Sequence, residues 1–189
     1  MEQNYPAQAM LAKLVSFDTT SRDGNIPLIE FVEGYLDGWD IPHFRVDYET
    51  GKKTNLFATI GPDIAGGIVL SGHTDVVPVD GQKWASNPFE LAERDGRLYG
   101  RGTCDMKGFI AVALAMVPQF KAAKLKTPIH LALSCDEEVG CKGVRPVVSH
   151  RGPPELEARV FLIVDSGGRE MEQAGRAEAV VDIAINLVT

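Results

Sequence analysis

Three short runs constrain the fold more than anything else in this chain: 68–71 (IVLS), 129–135 (IHLALSC) and 159–164 (RVFLIV), each apolar at nearly every position rather than at alternate ones. A strand that shows water neither face belongs inside a sheet covered on both sides, and such sheets are built mainly from parallel strands joined by helices. The intervening segments supply the helices. Within 5–17, Met10, Leu11, Leu14 and Val15 fall on one helical face. A second helix is expected from Asn25 as N-cap, with Pro27 in its first turn, through Ile29, Phe31, Val32 and Leu36. The run 108–123 (GFIAVALAMVPQFKAA) has helical spacing and almost no polar face in its middle, as a helix packed under a sheet would. A shorter helix over 144–148 is expected to be interrupted at Pro146. Two further strands are expected at 44–48 and 55–60, a turn at 151–154, and a long functional loop over 79–101, where Pro, Gly, Asn and Trp follow no period. The prediction is an α/β fold with a mostly parallel central sheet flanked by helices.

The segment 177–189 (AEAVVDIAINLVT) reads differently. Val181, Ile183, Ile185 and Leu187 alternate with Val180, Asp182, Ala184 and Asn186, the pattern of a strand with one wet face. A different sheet is expected to begin here, which divides the chain into a first domain over 1–176 and the first strand of a second over 177–189.

Composition narrows the function classes. With 19 basic against 26 acidic residues the net charge is −7, so the chain has no basic surplus with which to displace counterions from nucleic acid. No apolar stretch approaches the twenty or so residues of a membrane span. The N-terminus lacks the basic start and apolar run of a secretory signal. Three cysteines, an odd number without framework spacing, suit buried thiols in a reducing compartment. A cytoplasmic protein with no nucleic-acid or membrane partner is expected.

Acidic and imidazole clusters stand where the apolar strands end, the edge at which open α/β sheets place their ligands. The run 68–71 leads into Gly72-His73-Thr74-Asp75. A neutral imidazole is a good zinc ligand, and a metal-bound His normally gives its other N–H to a carboxylate that fixes its orientation; Asp75, on the same side of an extended chain, could be that carboxylate. Alone, His-x-Asp is a weak signal. Asp105 follows a glycine-rich turn (Gly100, Gly102) just where a helix begins, so a metal ligand and an ordinary N-cap are both open readings. Asp136-Glu137-Glu138 leave a buried strand, a costly place for acids unless they bind a metal or titrate. Two adjacent carboxylates can divide the work, one as ligand and one as general base. Asp165 ends the run 159–164 in the same manner. His43, His130 and His150 read as surface or satisfied core residues, and Trp84 and Phe89 as packing within the long loop.

Taken together, SGHTDVVPV, LYGRGTCDMKGFIA and DEEVGCKGVRP resemble the acetylornithine deacetylase, succinyl-diaminopimelate desuccinylase and carboxypeptidase G family of dinuclear zinc hydrolases. The resemblance covers roughly 5–165 and is strongest over 71–144, and GTCDMKGF and DEEVGCKGVR lean toward its deacetylase branch. It implies a zinc-dependent hydrolase acting on linear amides, with N-acetyl-L-ornithine as substrate, a place in arginine biosynthesis and cobalt able to substitute for zinc. It implies that His73 binds one zinc with Asp75 as its orienting carboxylate, and that Asp105 bridges two zincs with a cis peptide to Met106. Glu137 would be the general base, Glu138 a ligand of the second zinc, and Asp165 a ligand beside His73, although the deacetylase branch usually has Glu-Pro-Thr where this chain reads Asp165-Ser166-Gly167. It also implies an inserted lid or dimerisation domain after the fourth ligand and a further half that supplies a second-zinc histidine. On that expectation the chain is an incomplete, inactive part of a homo-oligomeric enzyme. A desuccinylase, an aminoacylase-like peptidase and a non-catalytic zinc- or partner-binding fragment are the alternatives.

Overall fold

The computed structural model describes residues 5–48, 51–149 and 160–163. The elements run α1 (Ala7–Val15), α2 (Ile26–Asp37), β1 (His43–Asp47), β2 (Thr54–Ile60), β3 (Ile68–His73), β4 (Ala92–Arg94), β5 (Arg97–Tyr99), α3 (Lys107–Ala115), α4 (Val117–Ala122), β6 (Ile129–Ser134), α5 (Val144–Ser149) and β7 (Val160–Ile163). Five strands form one sheet in the order β1-β2-β6-β3-β7. The pairings of β3 with β6 and with β7 are parallel, whereas β1–β2 and β2–β6 are antiparallel. The fold is α/β as expected, but its sheet is mixed. The reason is local: β1 and β2 are joined by a short connection that can only reverse direction, whereas β3 reaches β6 through α3 and α4.

Side-chain alternation builds the two covered faces. Leu56, Ala58 and Ile60 of β2 and Leu131 and Leu133 of β6 face one way, into a core shared with α1, α2 and α3. Phe57, Ala132 and Val69 face the other way and meet Val147 of α5. Residues at odd and even strand positions thus serve opposite layers, which is why these runs must be apolar throughout. Met10, Leu11, Leu14 and Val15 are all buried on α1, as their spacing predicts. Gly72 lets α3 approach the end of β3 closely: a Cβ there would stand 3.0 Å from Cγ1 of Ile110.

Several local expectations are corrected. Asn25 stands at the N-cap of α2 as expected, its carbonyl accepting the Leu28 and Ile29 N–H groups (each 3.1 Å), but its side chain makes no capping bond. Its buried amide instead donates to the Thr54 carbonyl (2.9 Å) and Thr74 Oγ1 (2.9 Å) and accepts the Thr54 N–H (3.0 Å), tying α2 to the start of β2 and the end of β3. The helix expected over 108–123 is two, because Pro118 lacks the N–H and the room that a continuous helix needs. Its middle is not wholly covered by the described residues, since Val112 is 54% and Met116 38% exposed. Pro146 lies in the first turn of α5 and does not interrupt it, because no intrahelical N–H is required there.

The loop expected over 79–101 contains a hairpin. Strands β4 and β5 pair antiparallel, with Arg94 opposite Arg97. Asp95 and Gly96 both have positive φ, 53° and 69°, the requirement of a tight two-residue connection. Of the three cysteines only Cys135 is buried; Cys104 and Cys141 are exposed. The turn expected at 151–154, His150, Asp165, and the strand and domain boundary expected from 177 onward lie outside the described residues. Among the described residues no helix is long and apolar enough to cross a membrane.

Candidate metal centre

The parallel register of β3 with β6 sets the site. His73 stands opposite Ser134, so the two strands release their chain ends at one edge of the sheet and at the same level. Thr74 fixes this junction by donating its N–H (2.8 Å) and its hydroxyl (2.9 Å) to the Ser134 carbonyl. β7 lies on the other side of β3 with Ile163 opposite Ser71.

His73 is almost fully buried. Its Nδ1–H donates to the main-chain oxygen of Asp75 at 2.9 Å, while the Asp75 carboxylate lies farther off, at 3.6 Å. The backbone of Asp75 therefore makes the direct contact with the ring. That leaves Nε2 facing the site, 3.0 Å from Oδ1 of Asp105 and 3.9 Å from Oε2 of Glu137. Burial pushes the His73 pKa down, but the hydrogen bonds and charges of Asp75, then of Asp105, outweigh it and hold the imidazole up at about 9.

The Asp75 carboxylate has a task that spacing did not reveal. Its two oxygens accept the backbone N–H groups of Glu137 (3.1 Å) and Glu138 (3.2 Å), so it clamps the acidic turn after β6. Burial works to raise its pKa, but His73 and these two N–H groups hold it below the usual carboxylate range. Glu138 moves the other way: burial raises it, and the charges of Asp105, Glu137 and Asp75 add to that against the opposing effect of His73. Glu137 accepts the Cys141 thiol at 3.4 Å. Cys135, behind the turn, has its thiol pushed up to about 12 by burial and by Asp136 and Asp75.

Asp105 reaches the site on a turn that needs glycine. Gly102 has φ +82°, and a Cβ there would come within 2.8 Å of Val76. The turn closes when the Lys107 N–H donates to the Gly102 carbonyl at 2.8 Å. The Asp105–Met106 peptide is cis, as the resemblance implied. Behind it Lys107 is completely buried, its Nζ donating to the Phe17 carbonyl at 2.8 Å. Burial pushes its pKa down to about 8, against the pull of Asp18 and Asp75. The folded chain thus gives up this proton near pH 8, while the unfolded chain holds it to about 10.5. Stability should rise with pH across that window, by up to about 3 kcal/mol. Lys107→Met should abolish the rise; urea titrations at pH 7.5 and 10 check it, and an unchanged difference between the two pH values would refute it.

The donor set fits zinc. One ligand atom each from His73, Glu137 and Glu138 can be chosen so that all lie within 4.8 Å of one another, and Asp105 touches the same imidazole nitrogen. Imidazole nitrogen with carboxylate oxygen is an ordinary zinc combination, and a ring held through its other nitrogen is how such ligands are oriented. His73, Asp75, Asp105, Glu137 and Glu138 are thus brought together, and Asp165 lies outside the described residues. The other two described histidines are engaged elsewhere. His43 donates from Nδ1 to the Ile41 carbonyl at 3.0 Å. His130 donates from Nε2 to the Gly66 carbonyl (3.1 Å) and receives the Thr59 hydroxyl at Nδ1 (2.9 Å). Trp84 packs within its own loop, under the Arg101 guanidinium at 5.2 Å.

Known proteins resemble this chain in sequence and in fold. The chain is 40% identical over 154 residues to the acetylornithine deacetylase of Myxococcus xanthus, a match covering 78% of this chain and 40% of that one. It spans about 40% of the length of the curated relatives it matches. Human carnosine dipeptidase 1 superimposes with a TM-score of 0.72 at 24% identity, covering 84% of this chain and 38% of that one. A dinuclear metal-binding peptidase of the M20 family from Bacillus subtilis does so with a TM-score of 0.54 at 20% identity, covering 75% and 37%. The profile of peptidase family M20/M25/M40 matches residues 69–184, a stretch that takes in β3, the Asp105 turn and the acidic turn after β6, and with that match the chain belongs to this family of metallohydrolases.

Proposed function

We propose that this chain is the metal-binding portion of an amide hydrolase that removes the acetyl group from N-acetyl-L-ornithine. The observation that carries the reading is the convergence of His73 Nε2, Asp105 Oδ1 and the Glu137–Glu138 turn at one sheet edge, with ligand atoms of His73, Glu137 and Glu138 within 4.8 Å of one another. The deacetylase name of the curated relatives favours the acetyl substrate over a succinyl one.

In this reading His73, Asp105 and Asp165 would hold one zinc, and Asp105 and Glu138 would contribute to a second. The parallel placement of β7 beside β3 supports the role of Asp165, which follows Ile163 by two residues. Bound zinc supplies Lewis acidity toward an amide carbonyl and lowers the pKa of water. Glu137 is the proton acceptor: its carboxylate lies 3.9 Å from the same imidazole nitrogen, and the Cys141 thiol steadies one of its oxygens. Asp75 orients both partners at once, the ring through its main chain and the acidic turn through its carboxylate. We extend the reading to a cytoplasmic, self-associating enzyme of arginine biosynthesis, whose second domain begins near residue 177. Exposed Val112 on α3 and Met116 at its C-terminal cap support association.

The 189 residues alone are expected to bind zinc yet to hydrolyse N-acetyl-L-ornithine far below about 1 per second, the low end of ordinary turnover. Metal analysis after dialysis, beside His73→Ala, together with an acetate-release assay tests this. Zinc retention no higher than in His73→Ala would defeat the metal-hydrolase reading, and ordinary turnover by this chain would defeat the fragment reading. Any active form that prefers a succinyl amide or a plain dipeptide would overturn the substrate assignment.

A further inference from the structure

Asp136 and Lys53 form a buried ion pair that neither the ligand set nor the proton acceptor accounts for. Their side chains are 8% and 13% exposed, and they lie 83 residues apart in sequence. Lys53 immediately precedes β2, and its Nζ also donates to the Ser21 carbonyl at 2.5 Å. Ser21 in turn gives both its N–H and its hydroxyl to the Val76 carbonyl, each at 3.0 Å, one residue past Asp75. One ammonium therefore connects the start of β2, the chain beyond β3 and the turn beyond β6.

Asp136 itself has φ +55°, a left-handed conformation that side chains other than glycine adopt at a cost. A buried ion pair adds little to stability over well-packed apolar groups of similar size, so its presence is better explained by what it fixes than by what it stabilises. What it fixes is the residue from which Glu137 and Glu138 depart. The Asp75 carboxylate holds the N–H groups of those two residues from one side. The Lys142 N–H donates to the Asp136 carbonyl at 3.0 Å and closes the turn. The Asn55 side chain accepts the Cys135 N–H at 3.0 Å just before it. The Asp136 side chain, through Lys53, adds a further anchor, at the first residue of the turn.

We infer that Lys53 is a positioning residue, which through Asp136 holds the Glu137–Glu138 turn at the angle the metal centre requires. The inference rests on the metal-hydrolase reading above for its functional meaning. Removing the ammonium leaves the Asp136 carboxylate buried and unpaired beside Asp75, Glu137 and Glu138, and repulsion then drives the turn away from His73.

The test uses the 189-residue chain with Lys53→Met, Lys53→Arg and the pair Lys53→Met/Asp136→Asn. Hydrogen exchange without metal, read on peptides spanning 135–140, should quicken at least tenfold in Lys53→Met while β3 and the rest of β6 stay protected. Co²⁺ affinity should fall about 10–100-fold, as for other groups that orient metal ligands, with an altered visible spectrum. Lys53→Arg should recover wild-type behaviour within about threefold, and the double variant should regain most of the loss. Unchanged exchange at 135–140, or a double variant whose losses simply add, would overturn the inference. So would faster exchange spread through β3 and β6, which would make the pair a prop of the fold. A wild-type chain that takes up no Co²⁺ would defeat the metal reading instead, and the exchange comparison would still judge Lys53.

Discussion

Replacing Asp75 with alanine is expected to lower stability by about 3–5 kcal/mol, the cost of removing one partner from a buried charged pair, and to weaken zinc binding about 10–100-fold. Both effects come from one carboxylate only 3% exposed. Its loss strands the N–H groups of Glu137 and Glu138 and leaves His73 without its nearest buried counter-charge. Urea denaturation of the metal-free chain and a competitive zinc titration measure the two terms separately. Because folding holds this carboxyl below its ordinary range, its stabilisation is complete above that range and fades as pH falls into it; the Ala variant should lack that part of the acid dependence. Asp75→Asn retains one acceptor oxygen and should fall between. A stability within 1 kcal/mol of wild type for Asp75→Ala would show that the clamp on the acidic turn is dispensable.

The second large effect separates two adjacent acids. Glu137→Gln should lower turnover of an active form by about 10²–10⁴-fold, the usual worth of a positioned general base, while metal content stays near wild type. Glu138→Gln should lose metal. The contrast is informative because the geometry alone allows Glu137 as a ligand, its oxygen lying within the same 4.8 Å group as His73 and Glu138. Metal analysis of both variants beside kcat decides it. Loss of zinc in Glu137→Gln would make that residue a ligand and require another proton acceptor.

What the sequence revealed was what depends on near neighbours. Apolar runs ending in acids or histidine located the sheet edge, and helical spacing located the buried face of α1. The Asp95-Gly96 hairpin was legible too but hidden, because its strands are only three residues long and show no period. The Pro118 break needed only the rule that proline interrupts a helix. The remaining contacts had no local signal. That the Asn25 side chain joins β2 to the end of β3 while its main chain caps α2, and that Lys53 pairs with Asp136, both depend on which strands become neighbours. A buried polar side chain is satisfied by whatever the topology brings beside it, and that partner is not written next to it in the chain.

The parallel register that levels His73 with Ser134 also dictates when the centre can form. Thr74 reaches Ser134 across 60 residues and Asp75 reaches Glu137 across 62, so the full donor set is not assembled before β6 has docked beside β3. Pairings of that span pay their loop entropy early and are rewarded late, which places them near the end of folding. Metal uptake during refolding should accordingly trail the appearance of helix, and a stopped-flow Co²⁺ absorbance trace would serve as a clock for the closing of the sheet rather than for collapse of the chain.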